Sequence, residues 1–300
     1  MPDHAPQSAP PVPVPSASVI LVDPARGGDE PFGLFLLQRR QKASFMPNRF
    51  VFPGGRSEPS DGPDPWADGA LRNCALRELW EEAGVALCQE PAPPAAALEG
   101  ARRELMAGRA GLLTALAGLG LTPDQGALMP YARWITPTAR PQRFDTMFYV
   151  ARMPAGQEAI CDALCAAAGQ AGGQTDSLAE TSQGLWLGPR RALAKNTQGR
   201  VELAPPQVVI LGHLAELASV EELAAFCVSA DLSPVLPVLW ARGKGPEAQR
   251  LILLPWDPDY PAGAPADPDH PGQPCPASQA SRLVHHRGVW GAYRPGAPAA

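Results

Sequence analysis

The stretch RELWEEAG, Arg77 to Gly84, places three carboxylates, Glu78, Glu81 and Glu82, within five positions beside a single arginine. On a helix turning about 100° per residue, the three acids share an arc of roughly 100°, while Leu76, Leu79, Trp80 and Ala83 fall on the other side. Like charges four residues apart cost a helix about 0.2–0.5 kcal/mol, and Arg77, four residues before Glu81, relieves only part of the repulsion. A divalent cation relieves the rest. Hard carboxylate oxygens suit magnesium or manganese, and such sites complete their coordination with water and phosphate oxygens. The chemistry this face predicts is metal-assisted reaction at phosphate. An isolated E-x-x-E-E is more often a solvated helix face, so the surrounding elements must decide.

Upstream, ASVILVD and GLFLLQRR are continuous apolar runs of the kind buried strands have, separated by the turn-forming PARGGDEPF. A third run, RFVFPGG, stops at Pro53, Gly54 and Gly55, where a loop must follow. Asp68 is then placed to cap a helix through GALRNCALRELWEEAG, ending at Gly84. The order is strand, glycine loop, acidic helix. Beyond EPAPPAAAL come helical patterns at LEGARRELMAG and AGLLTALAGLG, strands at YARWITPT and RFDTMFYVARM, a short strand at GLWLG, and helices at PRRALAKN and PQVVILGHLAELAS. The chain closes with strand-like LILLP and RLVHHRGVW around a Pro-rich and Asp-rich loop. This alternation predicts a mixed sheet covered by helices.

Thirty-seven prolines and 29 glycines in 300 residues are concentrated in linkers and ends, and residues 1–16 read as a disordered tail. A formal charge of −5 without a basic stripe argues against a nucleic-acid surface. No apolar run reaches membrane-spanning length. The six cysteines, Cys161 and Cys165 in the Ala-rich CDALCAAAG among them, form no C-x-x-C pair and read as free thiols. Neither end carries a targeting signal, GAPAA being no peroxisomal tripeptide, so the cytoplasm is the expected location.

GGRSEPSD followed by RELWEEAGV resembles the Nudix hydrolase box: glycine, five residues, an acid, a spacer, then R-E-apolar-x-E-E-x-G-apolar. The match runs through Gly55, Asp61, Arg77, Glu78, Leu79, Glu81, Glu82, Gly84 and Val85. The first acid is Asp61 where the pattern has Glu, and 15 residues separate it from Arg77 where the family usually has seven. The added GPDPWADG reads as a loop insertion ahead of an intact helix. The resemblance implies an α/β/α sandwich with a mixed sheet, a helical insertion at about residues 91–122, and cleavage of a nucleoside diphosphate linked to a moiety X. It also implies that Glu78, Glu81 and Glu82 bind Mg2+ or Mn2+ while Arg77 holds the cluster in register. A general base in this family often precedes a tryptophan of a late strand, which points to Glu180 ahead of Trp186.

SFMPNRFVFPGG, WITPTARPQRFDTMFYVA, LWLGPRRAL and PPQVVILGHLAEL further resemble the subgroup of nucleoside diphosphate-linked moiety X motif 19. They delimit a catalytic domain at residues 17–220, followed by an extension at 221–300 that packs on it or mediates a homodimer, with His285 and His286 at its surface. By resemblance the substrate is coenzyme A or acyl-coenzyme A, split into 3',5'-ADP and a 4'-phosphopantetheine. NADH, ADP-ribose or another nucleotide is the alternative, and a non-catalytic nucleotide-sensing module is the reading of another class. A substrate with two phosphate groupings needs local cations. Arg39, Arg40 and Arg56, with Gly54 and Gly55, flank the box, joined by Lys42 and Arg49, while Arg140 and Arg143 lie in TARPQRFDT.

Overall fold

A computed structural model describes residues 9–41, 46–160, 181–243, 248–266 and 272–295. The apolar runs of the N-terminal half become β1 (Val14–Asp23), β2 (Gly33–Arg39), β3 (Phe50–Val51) and β4 (Gly54–Arg56). With β5 (Met129–Ile135), β6 (Phe144–Arg152) and β7 (Thr181–Leu187) they form a mixed sheet in the order β3-β2-β1-β6-β5, with β4 against β1 and β7 against β2. The long central pairing of β1 with β6 is parallel and the other described pairings are antiparallel.

Period-2 alternation sorts the central strands between two cores. Ile20 and Val22 of β1, with Leu34 and Leu36 of β2, face one layer, while Val19, Leu21, Phe35 and Leu37 face the other. The second layer is α1 (Asp68–Ala83), α2 (Ala95–Met106) and α3 (Leu112–Ala117), which bury Leu76, Leu79, Trp80, Leu105 and Leu116. The first is α4 (Pro189–Thr197), α5 (Pro205–Leu214) and α6 (Val220–Val228). The result is the α/β/α sandwich that the resemblance implies.

The segment expected as an extension from residue 221 opens within α6 and continues as a second, antiparallel sheet. Its strands β8 (Val238–Arg242), β9 (Gln249–Leu253), β10 (Gln273–Pro274), β11 (Arg282–His286) and β12 (Val289–Arg294) lie in the order β10-β12-β11-β9-β8. Ile252, Leu254, Leu283 and Trp290 share one core cluster with Leu214 and Val220, so apolar packing runs unbroken across residue 220. Val235 also exchanges backbone hydrogen bonds of 2.8 and 2.9 Å with Arg133 and Ile135 on β5.

Several local expectations need correction. Strand β1 begins at Val14, so the last residues of the expected tail lie in the sheet, where Val14 pairs with Phe144. The Gly54–Gly55 segment is a strand edge rather than a loop, held on β1 opposite Ser18 and Ala17. The helix expected over 206–219 stops at Leu214, and Ser219 starts another: its Oγ accepts from Glu222 N at 3.1 Å, while Glu222 accepts from Ala218 N at 2.7 Å. RLVHHRGVW is a hairpin, turning at Arg287 and Gly288, both with positive φ. Among the described residues Cys74, Cys88, Cys227 and Cys275 are free thiols, and no helix is long and apolar enough to cross a membrane.

Candidate active site

Helix α1 runs directly behind β4. A side chain at Gly54 would strike the backbone of Ala17, and one at Gly55 would strike the Glu78 carboxylate, so the paired glycines let sheet and acidic helix approach. The Gly54 N–H uses that approach to donate to Glu82 Oε2 at 2.8 Å. Gly84, at φ 72°, ends the helix as expected, its N–H on the Trp80 carbonyl at 3.0 Å. The start differs: Ala67 occupies the cap position, and Asp68 lies in the first turn, its carboxylate on Arg72 at 2.7 Å.

Arg77 is buried, and its guanidinium organises the cluster. Nε and Nη2 donate to Asp61 at 2.9 and 3.0 Å, Nη1 to Glu78 at 2.9 Å and Glu81 at 3.0 Å, and Nη2 also to the Arg56 carbonyl at 2.9 Å. Asp61 is equally buried, and its Oδ2 accepts from Glu58 N at 2.8 Å. The lengthened spacer therefore loops out and returns Asp61 to Arg77, making it the counter-ion of the organising arginine.

The remaining acids are left in excess. Glu78 is pushed up to about 7, by burial first and by Glu81 as well, against the opposing pull of Arg77. Burial also raises Glu81, again opposed by Arg77. Burial works against the Arg77 charge, yet the Asp61 hydrogen bond and Glu78 hold that guanidinium above its ordinary value. One buried cation thus faces Asp61, Glu78 and Glu81, with Glu82 alongside. This donor set fits a hard divalent ion. Among the described residues no three acid, histidine or cysteine side chains are grouped as metal ligands, and Glu78 and Glu81 are turned onto Arg77.

A residue that the sequence reading missed secures the helix end. Glu81 and Glu82 lie in the last turn of α1, where acids oppose the helix dipole. Arg102 of α2, 1% exposed, donates to the carbonyls of Trp80 at 2.7 Å and Glu81 at 2.5 Å. Its signal was spacing: Leu98, Arg102 and Leu105 form the buried stripe of α2, so an arginine falls where an apolar residue is expected.

The three glutamates and both glycines line a cavity of about 1110 Å³, larger than most small-molecule sites. Arg39 and Arg56 line it too, as does Arg49, although Arg49 is engaged with Glu202 at 2.7 Å and the Gly288 carbonyl at 2.8 Å. Arg40 is not in that lining. Arg143, expected to bind substrate, is a structural residue: it is buried and donates to the carbonyls of Thr136 at 3.0 Å and Pro11 at 2.7 Å, fastening the N-terminal segment. Asp145 pairs instead with Arg133. Glu180, Lys42, Cys161 and Cys165 lie outside the described residues.

Comparison with known proteins bears on this geometry. A family model described as the NUDT19 Nudix domain matches residues 67–214, and the NUDIX domain model matches residues 12–99. The chain belongs to the Nudix hydrolase family. Within that family it falls in the NUDT19 subfamily. It is 28% identical to acyl-coenzyme A diphosphatase NUDT19 of Gallus gallus, covering 86% of this chain and 81% of that protein. To the Homo sapiens protein of the same name it is 29% identical, covering 77% of this chain and 73% of the other. A Nudix hydrolase structure from Alicyclobacillus acidocaldarius superposes with a TM-score of 0.56 at 24% identity, over 74% of this chain and 99% of that one, and shows the shared fold. The NUDIX domain match spans the glycine edge, Asp61, Arg77 and the acidic face of α1.

Proposed function

We propose that this chain hydrolyses the diphosphate of coenzyme A and acyl-coenzyme A, releasing 3',5'-ADP and the free or acylated 4'-phosphopantetheine, with Mg2+ or Mn2+ as its ion. The observation that carries the reading is the excess of carboxylate on α1 opening into a large, arginine-bearing cavity, in a chain similar to proteins named acyl-coenzyme A diphosphatase.

Glu78, Glu81 and Glu82 would hold the ion, which when bound supplies the positive charge that a diphosphate needs before a nucleophile can approach it. Arg77 and Asp61 keep the acids on one face, and Arg102 keeps the last helical turn in place. The glycine edge admits the diphosphate close to the backbone, and Arg39 and Arg56 meet its charge from the cavity wall. Water attacks phosphorus, one phosphoanhydride bond breaks, and two phosphate monoesters leave. Glu180 is our candidate for the base that accepts the water proton.

The test is a panel of coenzyme A, acyl-coenzyme A, NADH and ADP-ribose with Mg2+ or Mn2+, with products identified by mass. Release of 3',5'-ADP from the coenzyme A compounds supports the proposal. Cleavage of NADH or ADP-ribose in preference, or of no diphosphate at all, overturns it.

A further inference from the structure

Two cations on the cavity wall have no task in the diphosphate step. Arg140 lies in the exposed turn between β5 and β6, and half-buried Arg250 lies on β9 of the C-terminal sheet; both line the cavity. The register sets Arg250 directly across from His285 on β11, and His285 across from Trp290 on β12. Residues opposite one another on a ladder point to the same side. One face of the sheet therefore presents a guanidinium, an imidazole and an indole in a row, the two rings 4.9 Å apart.

Arg140 and Arg250 also sense each other. Partial desolvation first, and the Arg250 charge second, hold the Arg140 guanidinium below its ordinary value. Like charges gathered on one wall of a chain with a formal charge of −5 are a local feature, and a phosphate dianion offsets their repulsion. A separate observation points to a ligand with an N–H. Gln207 Oε1 of α5 is buried and has no hydrogen-bond partner among the described residues, in a side chain that is 5% exposed and lines the same cavity. A buried acceptor without a donor costs about 1–3 kcal/mol, which a ligand donor recovers.

We infer that this wall is a subsite for the 3'-phosphoadenosine half of the substrate, with Arg140 and Arg250 on the 3'-phosphate and Gln207 Oε1 accepting from the adenine amino group. The inference rests on the coenzyme A reading above and extends it: the C-terminal sheet is part of the active site and selects for the 3'-phosphate, a group remote from the bond that breaks.

The experiment measures kcat/KM for coenzyme A and for 3'-dephospho-coenzyme A with the intact chain and with Arg250→Gln and Arg140→Gln. The expected result is a preference of the intact chain for coenzyme A, and a fall in the ratio of the two kcat/KM values of about 10- to 100-fold in each variant, the size of a charged hydrogen bond. Arg140 is on an exposed turn, so its variant keeps the test valid if Arg250→Gln folds poorly. If both compounds are hydrolysed and neither variant changes the ratio, the subsite is refuted while the diphosphatase reading stands. If the intact chain hydrolyses neither compound, both fail together.

Discussion

Two buried arginine–aspartate pairs hold the two ends of this molecule, and they differ in what surrounds them. At the acidic helix, Arg77 and Asp61 have side chains 4% and 0% exposed; in the C-terminal sheet, Arg282 and Asp257 are 3% and 0% exposed. Both pairs are two-pronged: Arg282 donates to Asp257 at 2.8 and 2.5 Å. Around Arg282 one further carboxylate, Asp259, is left over, and hydrogen bonds tie it in away from the cavity. Asp257 takes Ser281 Oγ at 2.6 Å, and Asp259 takes Arg282 at 2.9 Å and Ala266 N at 3.1 Å. Around Arg77 the charges stay open, because Glu78 and Glu81 share one nitrogen and both line the cavity. A buried ion pair is therefore a positioning device in either place. What distinguishes a site is the negative charge left over and its access to a ligand.

Breaking both pairs is the largest test. Arg77→Met and Arg282→Met each strand a buried aspartate and are expected to cost about 3–5 kcal/mol in urea unfolding. Replacing both partners separates the regions. Arg282→Met with Asp257→Leu is expected to recover most of the loss, since an apolar pair of similar volume removes the stranded charge. Arg77→Met with Asp61→Leu is expected to recover less, because Glu78 and Glu81 then face each other without a cation, and Mg2+ should return part of the difference. Equal recovery without Mg2+ would show that the two surroundings are equivalent.

Next come substitutions that spare the pairs. Glu81→Gln and Glu82→Gln are each expected to lower kcat by about 10²–10³-fold, the scale of removing an electrostatic contact to the transition state, with the melting temperature held or raised. Asp259→Asn should move kcat by less than about twofold. Loss of activity on that substitution would mean that the C-terminal network reaches the chemistry.

The pH dependence of the metal-free protein probes the same excess charge. Glu78 has an ordinary value of 4.5 and is pushed up to about 7 by burial first, so the folded state holds its proton more tightly than the unfolded chain does. Its contribution is fully present below the ordinary value and is lost as pH rises through about 7. Unfolding in the presence of a chelator should therefore show the folded protein losing about 3 kcal/mol across that window, and Glu78→Gln should remove this part of the slope. A wild-type slope that survives the substitution would assign the effect elsewhere.

Much of this arrangement was legible in the sequence because the signals were local. Acid spacing on α1, the apolar arc opposite it, the glycine stop at Gly84 and the strand runs of β1 and β2 all depend on neighbours within a few residues. Gly54 and Gly55 were visible as a special backbone, but their reason, contact with Ala17 and Glu78, is a matter of tertiary approach. Arg143 was misjudged because an arginine beside an acid looks the same whether it meets a ligand or a carbonyl 132 positions away. The C-terminal sheet was hard to read for a related reason. Its hairpin turn, Arg287–Gly288, interrupts what appears as one strand, and its contribution to the cavity depends on cross-strand register, which a linear pattern does not carry.

The smallest expected effect is also the one that joins helix and insertion. Arg102 supplies from α2 the positive group that the last turn of α1 lacks in its own sequence, where Glu81 and Glu82 stand against the dipole. A cation at a helix C-terminus contributes about 0.3–2 kcal/mol, so Arg102→Lys, which keeps the charge and most of the volume but not the fork onto two carbonyls, should cost about 1 kcal/mol of stability. If Arg102 only holds the fold, apparent affinity for Mg2+ measured by titration should be unaffected. If it fixes the turn that carries Glu81 and Glu82, that affinity should weaken by about 10-fold, the lower end of what outer-shell partners of metal ligands contribute, and more Mg2+ should restore kcat. The helical insertion would then be a support for the acidic cluster, and the open character of that cluster would depend on a second buried arginine, Arg102, as well as on Arg77.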